Sequence, residues 1–71
     1  MSYAIYGESH SYVFLVTESS REKAVNSFLR DVEDVGVKLS DVFNIFAAKA
    51  GRQEDKDTED FIRGLINEAN E

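Results

Sequence analysis

The acidic run from Asp55 to Asp60 is the arrangement of side chains most capable of chemistry, because its carboxylates recur at alternate positions. Such a pattern begins a calcium-binding loop of the EF-hand type. That loop also needs glycine at its sixth position and glutamate at its twelfth, where this chain has Asp60 and Ile66. The pattern fails at both diagnostic places, so we interpret the run as a solvated segment that caps a helix.

No other grouping of side chains indicates catalysis. The single histidine, His10, lies in a predicted loop with only Glu8 and Ser9 near it in sequence, and a general base needs an orienting partner and a pocket. The four glycines are isolated, so there is no phosphate-binding loop, and the absence of cysteine excludes a thiolate metal site. We therefore predict a protein with no catalytic residues, no metal and no cofactor.

Acidic side chains dominate the charge. Fourteen acids against eight bases give a net charge of −6, and the bases are scattered, which disfavours direct binding to nucleic acid. The acids that we consider for partner binding form two clusters. The first contains Asp31, Glu33, Asp34 and Asp41, and the second contains Glu54, Asp55, Asp57, Glu59 and Asp60. A rigid array of carboxylates can imitate the phosphates of DNA, and the alternative is that both clusters are the water-facing sides of amphipathic helices.

Two segments rich in aromatic and β-branched residues, Tyr3–Tyr6 and Tyr12–Thr17, predict a β-hairpin with a break at Gly7–Ser11. Both faces of the second strand are apolar, so either it is covered on both sides or one sheet face meets another subunit. The second possibility predicts a homodimer. Its expected interface residues are Tyr3, Tyr12 and Phe14, for which ordinary strand packing is the alternative.

Two amphipathic helices follow from apolar residues that recur with helical spacing. The first runs from Ser19, which forms a predicted capping box with Glu22, to Gly36. The second follows an exposed linker over 52–56, with Asp57 or Thr58 as its N-cap. Its predicted apolar stripe consists of Phe61, Ile62, Leu65, Ile66 and Ala69.

The segment Val42–Ala48 fits either a third strand or a helix. Its β-branched and aromatic residues favour a buried strand beside the first one, whereas Ser40 and the alanines fit a helix that ends at Gly51. The order is thus ββαβα, which we prefer, or ββααα. Both are α+β folds, and 71 residues make a single domain over 1–71.

In its size, acidity, lack of cysteine and lack of catalytic motifs, the chain resembles the small acidic phage-encoded DNA mimics that inhibit bacterial histone-like HU proteins. The resemblance covers the overall profile and includes no shared motif. It implies a basic DNA-binding protein as partner, with no direct contact to nucleic acid. No segment resembles a signal peptide or a membrane span, so we expect a cytoplasmic protein of the bacterial host.

Overall fold

The computed structural model describes residues 2–50 and 53–70. In chain order the elements are strand β1 (Tyr3–Glu8), strand β2 (Val13–Glu18), helix α1 (Arg21–Asp34), a 3-10 turn (Leu39–Asp41), strand β3 (Phe43–Lys49), strand β4 (Gln53–Glu54) and helix α2 (Lys56–Ala69). The strands form one antiparallel sheet in the order β2-β1-β3-β4.

The preferred order ββαβα is confirmed. The segment that sequence left ambiguous pairs with β1 along nearly its whole length, so the helical alternative is wrong. The short strand β4 lies inside the predicted linker, of which Arg52 falls outside the described residues.

Strand β1 is longer than predicted, because Gly7 belongs to the strand and not to the turn. Its lack of a side chain has a packing reason. A Cβ atom at Gly7 would lie 2.6 Å from Cζ of Phe28 and 3.0 Å from Cδ1 of Ile45. The ring of Phe28 therefore packs directly on the backbone of β1, as is typical where a strand contains glycine. The loop after β1 spans 9–12, and the N–H of Ser9 donates to the carbonyl of Tyr12 at 2.8 Å.

Helix α1 begins one residue later than the capping box predicts. Ser20 is the N-cap, and its Oγ accepts from the N–H of Lys23. The predicted C-terminal end is confirmed: Gly36 has φ 76°, and the N–H of Val37 donates to the carbonyl of Val32. Together with the bond from Gly36 to Glu33, this is a Schellman motif, which requires a residue with positive φ.

Helix α2 begins earlier than predicted, because Asp55 is its N-cap and accepts from the N–H of Thr58. The predicted apolar stripe is only partly buried, since Phe61 is half exposed and Ala69 is exposed. The buried residues of α2 are Thr58, Glu59, Ile62 and Ile66. Two of these four are polar, which an apolar pattern cannot reveal.

Both helices pack on the same face of the sheet, α1 against β1 and β2 and α2 against β3. Ile5 is buried and lies directly opposite Val16 on one side and Ala47 on the other, so all three side chains share the helix-covered face. Neither helix packs on the other face. This domain is therefore two-layered, with one core between the sheet and the helix pair.

Candidate interaction surfaces

Four carboxylates project into solvent where α1 ends and in the 3-10 turn that follows. We refer to them as the α1-end acids, and they are Asp31, Glu33, Asp34 and Asp41. The first three lie in the last turn of α1, which has no basic residue, so their charges oppose the helix dipole. Among the described residues none of the four forms an ion pair within 4 Å. These exposed charges therefore do not stabilise the helix that carries them.

Asp55 of the second acidic cluster has a structural role. The Tyr3 hydroxyl donates to its Oδ2 at 2.6 Å, and Oγ1 of Thr58 lies 3.0 Å from the same oxygen. The hydrogen bond from Tyr3 holds the pKa of Asp55 below its ordinary value of 3.8, although burial acts in the opposite direction. Burial, followed by the bond to Asp55, raises the pKa of Tyr3 above 10.0. Asp55 thus joins β1 to the start of α2 and does not present a free carboxylate.

Glu59 is also used inside the domain, and its assignment to a partner-binding surface is corrected on that ground. It is 2% exposed, and its Oε2 accepts from the N–H of Ala47 at 2.9 Å. Arg63, one turn later, lies 3.7 Å from Oε1. Since a buried carboxylate that is paired in this way is not accessible to a second protein, Glu59 serves to fix α2 on β3.

The rest of the second cluster is exposed. Asp57 lies in the first turn of α2, where the helix dipole favours negative charge, and Asp60 forms an ion pair with Arg63 at 3.2 Å. The carboxyl of Glu54 faces that of Glu59, and this contact, together with desolvation, raises the pKa of Glu54 above 4.5. The two clusters therefore differ: Asp55 and Glu59 of the second form contacts that stabilise the fold, and the α1-end acids do not.

The sheet face turned away from the helices presents several exposed apolar side chains, and neither helix packs on it. Tyr6 lies at its centre, directly opposite Leu15 on β2 and Phe46 on β3. Val13 and Phe43 flank this row, each opposite Glu8. We call these residues the open face: Tyr6, Val13, Leu15, Phe43 and Phe46. Four of the five are large apolar side chains that are strongly exposed.

Two of the three residues predicted for the dimer interface lie on the helix-covered side of the sheet. Tyr3 and Phe14 are buried in the core, where the ring of Phe14 packs edge-on against Phe28 at 6.0 Å between centroids. They are therefore not accessible to a second subunit. Tyr12 is exposed, but it lies in the loop beside Phe14 and not on the open face.

The remaining candidates for chemistry stay isolated. His10 is exposed in the loop and its ring lies 5.4 Å from that of Phe43. Within 2–50 and 53–70, no three histidine or acidic side chains are grouped closely enough to hold a metal ion. In the same part of the chain, no helix is long and apolar enough to cross a membrane.

Comparison with protein-family models, with curated proteins and with solved structures finds no match to this chain.

Sequence reasoning missed the open face, although it recognised that β2 is apolar on both sides. The alternation along β2 separates Val13 and Leu15 from Phe14 and Val16 without saying which pair the helix covers. The tyrosines led us to select Tyr3, Tyr12 and Phe14 as interface residues, and none of these three belongs to the open face. A better signal is Gly7, which marks the covered face of β1 because the ring of Phe28 packs on its backbone.

Proposed function

We propose that this chain is a non-enzymatic acidic binding protein that acts as a DNA mimic and competitively inhibits a basic bacterial DNA-binding protein of the histone-like HU type. The α1-end acids carry the proposal. They are exposed, unpaired among the described residues and, in three of four cases, placed where they weaken their own helix. Because fold stability does not account for these charges, a partner with complementary charge is the best explanation for them.

The mechanism needs only electrostatics. Lysine and arginine side chains that normally contact DNA phosphates pair with the α1-end acids, and DNA is excluded from the same surface. Since such pairs are screened by salt, affinity is expected to fall steeply as ionic strength rises.

The test is competition between this protein and a short fluorescent DNA duplex for a purified HU protein, followed by fluorescence anisotropy. A variant in which the α1-end acids become Asn or Gln is compared with the unaltered chain at about 50 and 200 mM salt. At about 0.4 kcal/mol for each exposed ion pair, four lost pairs weaken inhibition about fifteenfold at low salt. The difference should shrink at high salt.

The matched control neutralises four other exposed acids, Glu22, Asp57, Asp60 and Glu68. It has the same net charge as the first variant and should retain most of the inhibition. Equal losses in both variants would mean that net charge alone is responsible. Retained inhibition in the first variant, or no inhibition by the unaltered chain, would refute mimicry through this surface.

A second candidate function is a regulatory module that binds another protein through an apolar surface, and the exposed open face favours it. The two candidates use opposite sides of the sheet. Binding through the open face should tolerate salt and neutralisation of the α1-end acids, whereas mimicry should tolerate neither.

A further inference from the structure

We propose that the open face is covered by a second copy of this chain, in a face-to-face dimer with the helices outermost. The face is well suited to self-association because its apolar row is continuous across three strands. Tyr6 lies opposite Leu15 on one side and Phe46 on the other, so a two-fold axis near Tyr6 brings similar rows of the two copies together.

The exposed apolar area matches what a small dimer needs. Val13 and Leu15 are each 66% exposed, Phe46 is 46% exposed and Phe43 is 39% exposed. With whole side-chain areas on the order of 150–200 Å², these four residues leave about 400 Å² of apolar surface in water on each copy. Homodimer interfaces are about 65% apolar in their cores, so the full interface is about 600 Å² per copy. The total of about 1,200 Å² lies at the lower end of the range for specific complexes, so we expect a weak dimer that dissociates on dilution.

Charge also favours a second copy despite the net charge of −6. The α1-end acids belong to the helical layer and its connecting turn, so face-to-face packing keeps them on the outer sides of the dimer. Glu8 belongs to the open face and lies between Val13 and Phe43. Its carboxylate contacts the Tyr6 hydroxyl and accepts from Nδ2 of Asn44 at 2.9 Å. The row of Leu15, Tyr6 and Phe46 carries no charge, so repulsion between the copies is limited to the Glu8 carboxylates beside it.

Association through the outer edge of β3 is disfavoured. Strand β4 pairs only with Ala48 and Lys49 of β3. In the part of β3 before these residues, the N–H of Ala47 donates to Glu59, and the carbonyl of Ile45 accepts from Arg63 at 3.2 Å. These backbone groups are unavailable to another strand, because α2 already satisfies them. The uncovered apolar surface thus lies on the face and not at this edge.

The first experiment is analytical ultracentrifugation over a dilution series of the full chain. The unaltered protein should pass from dimer to monomer on dilution. The double variant Leu15→Lys and Phe46→Lys should raise the dissociation constant at least about a hundredfold, because it places charges at the centre of the interface. The control Phe61→Lys adds a charge at an exposed aromatic on α2 and should dimerise like the unaltered chain.

A second measurement does not depend on introduced charges. Because the chain contains no cysteine, Leu15→Cys can be cross-linked with a short bis-maleimide and compared with Phe61→Cys. Dimers should be trapped at the first position and not at the second. Monomers at about 0.5 mM, or dimers that ignore the Leu15 and Phe46 changes, would overturn the proposal. Neither result bears on mimicry, which is tested by competition through the opposite side of the domain.

Discussion

Glu59 and Arg63, one helical turn apart on α2, complete the hydrogen bonding of the outer edge of β3. The Glu59 carboxylate accepts from the N–H of Ala47, the Arg63 guanidinium donates to the carbonyl of Ile45, and the two side chains lie 3.7 Å from each other. Glu59, which the sequence analysis assigned to partner binding, therefore hydrogen-bonds to the edge of the sheet instead.

Glu59→Ala is expected to lower the free energy of unfolding by about 2–3 kcal/mol, because it leaves the buried N–H of Ala47 without an acceptor. Glu59→Gln retains a carbonyl oxygen and should cost less. Urea unfolding followed by circular dichroism measures both. Asp60→Ala, at an exposed neighbour, should change stability by less than about 1 kcal/mol. Equal losses at positions 59 and 60 would contradict a structural role that is specific to Glu59.

Gly7→Ala and Gly64→Ala are expected to have opposite effects. A Cβ at Gly7 meets the fully buried ring of Phe28 at 2.6 Å, so the substitution should destabilise the domain by about 1–3 kcal/mol. A Cβ at Gly64 meets nothing within 4 Å, and alanine has the higher helix propensity, so stability should rise by about 0.5–1 kcal/mol. Thermal unfolding of the two variants checks the signs, and destabilisation by Gly64→Ala would contradict the described packing of α2.

Charges at the two ends of α1 are expected to act with opposite sign on stability. Glu33→Gln combined with Asp34→Asn should raise the free energy of unfolding by about 0.5–1 kcal/mol, because negative charge at the carboxyl end opposes the helix dipole. Glu22→Gln, in the first turn, should lower the free energy of unfolding by a few tenths of a kcal/mol. If the stabilised double variant also inhibits HU less, these acids serve binding at the expense of stability. Unchanged stability would remove that argument for their role.

Stability should be greatest between the titrations of Asp55 and Tyr3. The folded-state pKa of Asp55 is lowered, so its contribution is complete above 3.8 and is lost as pH falls through the folded-state pKa. The folded-state pKa of Tyr3 is raised, so its contribution is complete below 10.0 and is lost as pH rises through the folded-state pKa. Tyr3→Phe should flatten both limbs of the stability curve. Tyr12→Phe, at an exposed tyrosine, should leave the curve unchanged.

Glu54→Gln is expected to stabilise the domain at pH 7. The contact with Glu59 raises the folded-state pKa of Glu54 above 4.5, so its favourable contribution is complete below that pH and is lost as pH rises through the folded-state pKa. Glutamine has no charge to repel Glu59 and can donate a hydrogen bond to it. Melting temperatures at pH 5 and 7 should differ less in the variant. Asp57→Asn serves as the control at a nearby exposed acid.

Local patterns in the sequence were sufficient for the N-terminal hairpin and for both helices. Helical spacing around Phe28, the positive φ available to Gly36 and the β-branched content of the strands act over a few residues, and the structure agrees with them. Helix N-caps shifted by one to three residues because several neighbouring side chains, Ser19 and Ser20 among them, are equally able to cap.

Contacts between residues distant in sequence decided the rest. The ambiguous segment is a strand because it pairs with β1, some forty residues earlier in the chain. Glu59 is buried because α2 crosses the edge of β3, which no periodicity encodes. Sequence by itself determined an acidic α+β domain with a strand that is apolar on both faces. Only tertiary packing decided that the helices cover Phe14 and leave Leu15 exposed, since the alternation of a strand is symmetric until a helix packs on one side.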